Sequence, residues 1–192
     1  AACQLRQGRG RQQQQRFLVD GLREIDRALE ANWPMEEVFV CDELLSQSGD
    51  RELRDKLEHA GIPLCPVTSS VMEKITFGER RDGLVAVAHH RPLATLETLS
   101  CTPGMLLAVV ESIEKPGNLG AILRSADAAG VDAVILANQV TDPFNPNVIR
   151  ASTGIIFSMP VYADSSEQIL DWLTKNEFQV CATRIDGSAS YL

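Results

Sequence analysis

The sequence predicts an α/β protein whose C-terminal half contains a parallel sheet with helices on its faces. Short, continuous apolar runs such as 105–110 and 131–136 are typical of strands that are buried on both sides. These runs alternate with segments of helical periodicity, and such alternation favours parallel pairing. The length of 192 residues suits one large domain or two small ones.

The N-terminal half is predicted to form a compact α/β unit over residues 17–95. Its elements are expected as strands at 17–21, 38–41, 64–67 and 83–88, and as helices at 22–29, 52–60 and 69–75. A proline-bounded stretch without periodicity follows, and residues 96–104 are interpreted as a linker between two domains.

The C-terminal half, residues 105–192, is predicted to contain four strands and three helices. They are expected as strands at 105–110, 131–136, 157–161 and 178–183, and as helices at 119–129, 147–152 and 167–176. Pro116 and Gly117 interrupt the first strand, and Asn118 is expected to cap the helix that follows. Gly130 is expected to end that helix.

Charge is unevenly distributed along the chain. The net charge of −8 is unusual for a protein that binds nucleic acid, because Lys and Arg supply most of the affinity for phosphates. Residues 1–16 nevertheless form a Gln-rich arm with four arginines and no acidic residue. The arm is interpreted either as a basic segment that binds a nucleic-acid backbone or as a solvated, partly disordered terminus.

Several classes of protein are disfavoured by composition. The five cysteines are widely spaced without a Cys-x-x-Cys pair, which favours free thiols in a reducing cytosol over disulfides or a zinc site. The three histidines are scattered, so no metal site is expected. No apolar run approaches the roughly 18 residues of a membrane span, and the N-terminus has no apolar core of a secretory signal.

Two short sequence blocks contain the candidate functional residues. In the first, Asn118, Gly120 and Arg124 form an Asn-x-Gly-x-x-x-Arg pattern after a predicted strand. The second block, 142–160, contains the residues Arg150, Ser152, Gly154 and Pro160. With these residues, the chain resembles the SpoU (TrmH-like) branch of the SPOUT RNA ribose 2′-O-methyltransferases, and the resemblance extends over nearly the whole sequence.

The resemblance implies both a fold and an activity. The N-terminal half is similar to the small, ribosomal-protein-like domain that recognises RNA in this family, and the C-terminal half is similar to the knotted SPOUT domain. The implied reaction is methyl transfer from S-adenosylmethionine (AdoMet) to a ribose 2′-hydroxyl of structured RNA, with rRNA favoured over tRNA. A homodimer located in the cytoplasm is also implied.

The resemblance assigns roles to three residues of the two blocks. The arginine that matches Arg124 activates the hydroxyl with help from an RNA phosphate, and a guanidinium fork is suited to grip that phosphate. A surface ion pair between Arg124 and Asp127 is the alternative. Asn118 is expected to orient Arg124, to cap the helix, or both. Arg150 is expected either to bind RNA phosphate or to hold the turn at 145–147.

Two loops complete the predicted site. Arg80 and Arg81 lie in a loop bounded by glycines, where they are predicted to bind RNA; a plain connection between a helix and a strand is the alternative. Thr183 and Gly187 follow the last predicted strand and match the family's first AdoMet-facing loop. The alternative there is a simple exit from the strand.

Two further family motifs have no counterpart up to Leu192. They are a glycine–glutamate loop and a segment with Ser-Leu-Asn-Val that threads the knot, and together they form most of the AdoMet pocket. The SPOUT domain is therefore expected to be incomplete at its C-terminus, and the natural protein is expected to be longer. A non-catalytic RNA-binding or assembly module without the AdoMet pocket is the alternative, as is completion of the site by another chain.

Overall fold

The computed structural model describes residues 2–45, 48–77 and 82–183, which fold around two sheets. The helices and strands occur in the order α1 (Gly8–Gln14), β1 (Arg16–Asp20), α2 (Leu22–Glu30), β2 (Met35–Val40), α3 (Ser48–His59), β3 (Leu64–Pro66), α4 (Ser69–Ile75), β4 (Leu84–His89), β5 (Leu107–Glu111), α5 (Pro116–Ala128), β6 (Ala133–Ala137), α6 (Pro146–Ala151), β7 (Val161–Asp164) and α7 (Ser166–Lys175). No helix in the described ranges is long and apolar enough to cross a membrane.

Each half of the chain contributes one sheet. Sheet A has the order β1-β4-β2-β3, in which β4 is antiparallel to β1 and β2, and β2 is parallel to β3. Sheet B has the order β5-β6-β7 and is entirely parallel. All five residues of the central strand β6 are buried, because helices and connections cover both faces of the sheet. The α/β prediction and the parallel C-terminal sheet are confirmed.

The N-terminal arm is folded, so the expectation of a partly disordered terminus is wrong. Residues 2–14 form a 3₁₀ turn and the helix α1. Arg11 is 3% exposed, and its Nε donates a hydrogen bond of 2.7 Å to Asp142 in the other half of the chain. The Arg6 guanidinium lies over the Phe77 ring. Because these arginines contact the protein itself, they order the arm.

Helix α5 begins earlier than the sequence predicted. Pro116 is its first residue and Lys115 takes the N-cap position, so the capping role expected of Asn118 is wrong. The fixed φ of proline suits the first helical position, where its missing N–H costs no intrahelical bond. Gly130 adopts a φ of +69° after the helix, and Val131 N donates to Ala126 O at 3.0 Å. The predicted glycine ending of α5 is confirmed.

Two predicted strands differ in the structure. In place of a strand at 157–161, Ile155–Phe157 forms a buried 3₁₀ turn and β7 begins only at Val161. The apolar run is buried in the core as a turn rather than in a ladder, which explains the error. Residues 178–183 form no strand: Phe178 stacks on Trp172 at 5.5 Å, the rest of the segment is exposed, and no strand among the described residues pairs with it.

A shared aromatic cluster joins the two halves. Phe17 and Trp33 come from the N-terminal half, and Phe144 and Phe157 come from the C-terminal half. The rings of Phe17 and Phe144 stack with centroids 4.8 Å apart, and Trp33 lies 5.3 Å from Phe144 and 5.4 Å from Phe157. Offset and edge contacts of this kind stabilise a core beyond simple burial. The halves therefore pack through one continuous core.

The segment predicted as a linker also packs against the protein. Leu96, at the start of 96–104, is 2% exposed and belongs to a cluster with Ile135 and Ile169 on the outer face of sheet B. Just before it, Ala94 O accepts a hydrogen bond from Ala163 N of β7. The connection between the halves therefore follows the edge of sheet B. The domain boundaries themselves stay a prediction.

Candidate active site

Gly120 allows α5 to approach α6 closely. A Cβ at this position would lie 2.5 Å from Ala151 Cβ and 2.8 Å from both Ser152 N and Val148 O. Real Cβ atoms do not approach backbone atoms this closely, so only glycine fits without a shift of α6. The glycine of the Asn-x-Gly pattern is thus explained by helix packing.

Arg124 lies at the same helix contact. It follows Gly120 by one helical turn and so shares its face of α5. Its Nη1 donates to the Ala151 carbonyl at 3.3 Å. Ala151 is the last residue of α6, where carbonyls have no partner within the helix. The Arg124 side chain is otherwise exposed, so the guanidinium is anchored at one N–H and keeps donors for an anion.

The alternative partner of Arg124 was Asp127. Both side chains are exposed, and the ion pairs found within residues 2–45, 48–77 and 82–183 do not join them. Asn118 is also exposed and lies in the first turn of α5, while Arg124 lies in the third. The two are separated by about 120° around the helix axis and about 9 Å along it. Asn118 therefore does not face Arg124 in this arrangement.

Arg150 lies at the junction of the two halves. Its Nη1 donates to the Phe77 carbonyl and lies 3.6 Å from Asp20 Oδ2. The side chain of Arg150 is 23% exposed, and that of Asp20 is fully buried. The turn at 145–147 is held instead by Asn145 Oδ1, which accepts a hydrogen bond of 2.9 Å from Asn147 N. Arg150 thus links α6 to sheet A and is not what holds that turn.

Asp20 is the buried centre of this junction. It ends β1, and its Oδ2 also accepts a hydrogen bond of 2.6 Å from Phe77 N. Asp20 Oδ1 is buried and has no hydrogen-bond partner among the described residues. Burial raises the pKa of the Asp20 carboxyl above its ordinary range, and the Phe77 N–H and the Arg150 charge only partly oppose this. The negative charges of Asp82 and Glu24 raise the pKa further.

A third arginine reaches the end of α6. Arg27 of α2 donates from Nη1 to the Thr153 carbonyl at 3.0 Å. Next to it, Gly154 adopts a φ of +83°, and a Cβ there would lie 3.1 Å from Glu24 Cα. The C-terminal end of a helix carries partial negative charge, so it is stabilised by nearby cations. Arg27 and Arg124 therefore donate to carbonyls at the end of α6 from two other helices, while Arg150, within α6, is directed at Asp20 and Phe77.

The other predicted RNA-binding and cofactor-binding residues are Arg80, Arg81, Thr183 and Gly187. Arg80, Arg81 and Gly187 lie outside the described residues, and Thr183 is exposed in the segment after α7. At the carboxyl ends of β5 and β6, a cavity lined by Val110, Leu136 and neighbouring side chains measures about 10 Å³. This cavity has room for one water at most, so its lining does not fit AdoMet.

Sequence reasoning missed Asp20 and Phe77. Asp20 ends an apolar run and precedes a glycine, which is a common pattern for a strand that runs into a turn. Phe77 contributes through its backbone N–H and carbonyl, so no side-chain pattern reports its role. The only signal was an acidic residue at the end of a strand that is otherwise buried.

Comparison with known proteins places these residues in a family. Residues 105–191 match the family model described as SpoU rRNA Methylase family, and residues 1–86 match the MRM3-like substrate binding domain. Between them, the two matches cover most of the chain. Residues 105–191 form a SpoU methylase domain. The resemblance inferred from the two blocks is thus confirmed.

Individual relatives support the same placement. A 23S rRNA (uridine-2′-O)-methyltransferase of Streptomyces viridochromogenes is 32% identical over 158 residues, which cover 82% of this chain and 54% of that protein. A crystal structure titled as an RNA 2′-O ribose methyltransferase superposes with a TM-score of 0.80 at 39% identity, covering 92% of this chain and 66% of that one.

A third match includes a cofactor. The SpoU methyltransferase AviRb of Streptomyces viridochromogenes, solved in complex with AdoMet, has a TM-score of 0.77 at 27% identity. The match covers 92% of this chain and 66% of that structure. The chain thus spans about half to two thirds of the length of these relatives.

Proposed function

We propose that the protein transfers a methyl group from AdoMet to a ribose 2′-hydroxyl of rRNA. The observation that carries the proposal is the placement of Arg124: its guanidinium is fixed at one N–H by the Ala151 carbonyl and is otherwise exposed. The SpoU methylase domain supports the reaction class, and the activity of the rRNA methyltransferase relative supports the choice of rRNA.

In this proposal, Arg124 binds and orients the RNA. A guanidinium remains protonated at working pH and offers a planar fork of donors to a phosphate. Binding a phosphate next to the target ribose holds the 2′-hydroxyl in line for transfer, and positioning of this kind supplies a large part of a catalytic barrier. The same positive charge stabilises the alkoxide that develops on the attacking oxygen.

AdoMet would supply the methyl group, and Thr183 and Gly187 are proposed to contact it. Arg80 and Arg81 are proposed to bind RNA, in agreement with the substrate-binding family matched by residues 1–86. Asn118 is proposed to contact substrate directly, because it is exposed and does not face Arg124. A homodimer and a cytoplasmic location complete the proposal. Light scattering of the full-length protein tests the dimer.

The test is methyl transfer by the full-length protein from tritiated AdoMet to 23S rRNA transcripts. We expect incorporation of label, and resistance of one phosphodiester bond to alkaline hydrolysis, because a 2′-O-methyl group blocks cleavage at that ribose. A transcript with 2′-deoxy substitution at the labelled position should accept no methyl group. RNA binding without transfer would contradict the proposal and favour the non-catalytic RNA-binding module.

A further inference from the structure

Asp20, Arg150, Ala151 and Arg124 form a continuous path from sheet A to the proposed active site. Asp20 Oδ2 lies 3.6 Å from the Arg150 guanidinium. Arg150 directly precedes Ala151, whose carbonyl receives Arg124 Nη1 at 3.3 Å. The path joins the two halves of the chain, because Asp20 belongs to β1 and the other three belong to α5 and α6.

Both ends of the path rest on rigid elements. Asp20 pairs with Val85 of β4 in the antiparallel ladder of sheet A, so its backbone is fixed. At the other end, Gly120 fits tightly against Val148, Ala151 and Ser152, which leaves α5 little room to move relative to α6. A change at the Arg150 side chain would therefore act at the end of α6, where Ala151 contacts both Gly120 and Arg124 of α5.

The carbonyls at the end of α6 have distinct partners. The Val148 and Arg150 carbonyls accept from Ser152 N and Thr153 N, at 2.8 and 3.0 Å. The Ala151 carbonyl accepts from Arg124 across the helix contact. The orientation of this carbonyl, and with it the position of the Arg124 guanidinium, thus depends on how the last turn of α6 is held.

We propose that Asp20 is a positioning residue of the methyltransferase site, whose buried carboxylate holds Arg150 and thereby keeps the Ala151 carbonyl directed at Arg124. This inference rests on the proposed function. The site is built for such a role: the Asp20 side chain is fully buried, and its Oδ2 contacts both the Phe77 N–H and the Arg150 guanidinium, while Oδ1 has no hydrogen-bond partner among the described residues. An uncharged group would lose the attraction to Arg150.

The ionisation of Asp20 makes the proposal testable by pH. The groups that act on it are Arg150 from α6, Glu24 from α2, Asp82 before β4 and the Phe77 N–H. Burial raises its pKa, so Asp20 loses its charge at a pH above the ordinary range of an aspartate. The rate of methyl transfer should then fall on the acid side as the grip on Arg150 is lost.

The experiment compares Asp20→Asn with Glu36→Gln in the full-length protein. Glu36 is a matched control, because it lies on the same sheet and pairs with an arginine at 2.6 Å. Single-turnover methyl transfer is measured against pH, together with the Kd for RNA and for AdoMet. We expect about a tenfold lower rate for Asp20→Asn with both Kd values unchanged, since a small misplacement of a catalytic group costs rate. The acid limb should disappear in Asp20→Asn and persist in Glu36→Gln.

An unchanged rate and acid limb in folded Asp20→Asn would overturn the proposal. If Asp20→Asn does not fold, the test is Arg150→Lys, because lysine keeps the charge but lacks the planar guanidinium whose Nη1 contacts both Asp20 and Phe77. About a tenfold loss of rate in Arg150→Lys supports the proposal, and the wild-type rate overturns it.

A second measurement separates this inference from the proposed function. The NMR signals of the Arg124 guanidinium report its hydrogen bond whether or not methyl transfer occurs. If the wild-type protein transfers no methyl group, the proposed function fails, and these signals still test the path. A shift of the Arg124 signals in Asp20→Asn but not in Glu36→Gln supports the path, and unshifted signals in both overturn it.

Discussion

Arg124 and Arg150 differ in what their guanidinium groups contact, although both stand near the end of α6. Arg124 is exposed and anchored by one hydrogen bond of 3.3 Å to the Ala151 carbonyl. Arg150 is mostly buried and is held by the carboxylate of Asp20 and the carbonyl of Phe77. One charge is open to a substrate, and the other is neutralised within the protein.

In the proposed function, the contacts of each guanidinium, and not the residue type, separate the catalytic arginine, Arg124, from the structural one, Arg150. An exposed guanidinium with one anchor loses little freedom when it binds a phosphate and keeps most of its donors for it. A guanidinium that faces a buried carboxylate is not available to a substrate, because moving the guanidinium away would leave the buried negative charge without a compensating cation. The predictions below test whether this division holds.

The largest expected effect is on catalysis. Arg124→Ala should lower methyl transfer by about 10²–10³-fold, the usual cost of removing one group that stabilises developing charge. Because Arg124 is exposed, the free energy of unfolding should change by no more than about 0.5 kcal/mol. Arg54→Ala is the matched control, as Arg54 is also exposed and pairs with Asp42 at 2.8 Å. Equal losses of rate in both variants would contradict the assignment of Arg124 to the active site.

The next effect is on stability. Arg150→Ala leaves the Asp20 carboxylate buried without its cation and should lower the free energy of unfolding by about 3 kcal/mol in urea titrations. Arg16→Ala, which breaks the more exposed pair with Glu36, should cost at most about 1 kcal/mol. If Arg150→Ala and Arg16→Ala lower the free energy of unfolding by the same amount, then Arg150 does not have the structural role that distinguishes it from Arg124.

The sequence predicted those parts of the fold that depend on local patterns. Helix α4 was predicted at its observed bounds, and β6 was recognised from its apolar run. Where a pattern served a tertiary contact, the prediction failed: a strand was predicted at 157–161, but Ile155–Phe157 packs as a turn in the core and β7 begins only at Val161. Arg11 belongs to the arm that was predicted either to bind a nucleic-acid backbone or to be solvated, and its distant partner Asp142 explains its burial.

The candidate site divides in the same way. Arg124 was predicted from the family's Asn-x-Gly-x-x-x-Arg pattern, which is a local property of one helix, and its catalytic role stays a prediction. The capping role of Asn118 was wrong because a proline two residues earlier can start the helix by itself. The contacts of Arg150 could not be predicted, because they involve a backbone carbonyl and a carboxylate from the other half of the chain.

A smaller effect is expected where the two helices meet. Gly120→Ala places a methyl group against Ala151 and the α6 backbone, so it should cost about 1–3 kcal/mol of stability and lower the rate of methyl transfer as Arg124 moves. Gly117→Ala is the matched control on the same helix, since a Cβ there meets nothing within 4 Å. Thermal unfolding and single-turnover rates measure both. Wild-type behaviour of Gly120→Ala would mean that the helix contact does not position Arg124.

The smallest effect is the most discriminating, because stability and rate should move in opposite directions with pH. Burial raises the pKa of Asp20 in the folded state, so the stability it contributes is fully present below the ordinary pKa of aspartate and is lost as pH rises through the folded value. Relative to Asp20→Asn, the wild-type protein should therefore become less stable as pH rises through this window. Over the same window its rate relative to Asp20→Asn should rise, because the ionised carboxylate holds Arg150. Urea titrations and single-turnover assays at matched pH values test both trends. A relative stability that falls over this window without any rise in the relative rate would show that Asp20 serves the fold alone and does not link Arg150 to Arg124.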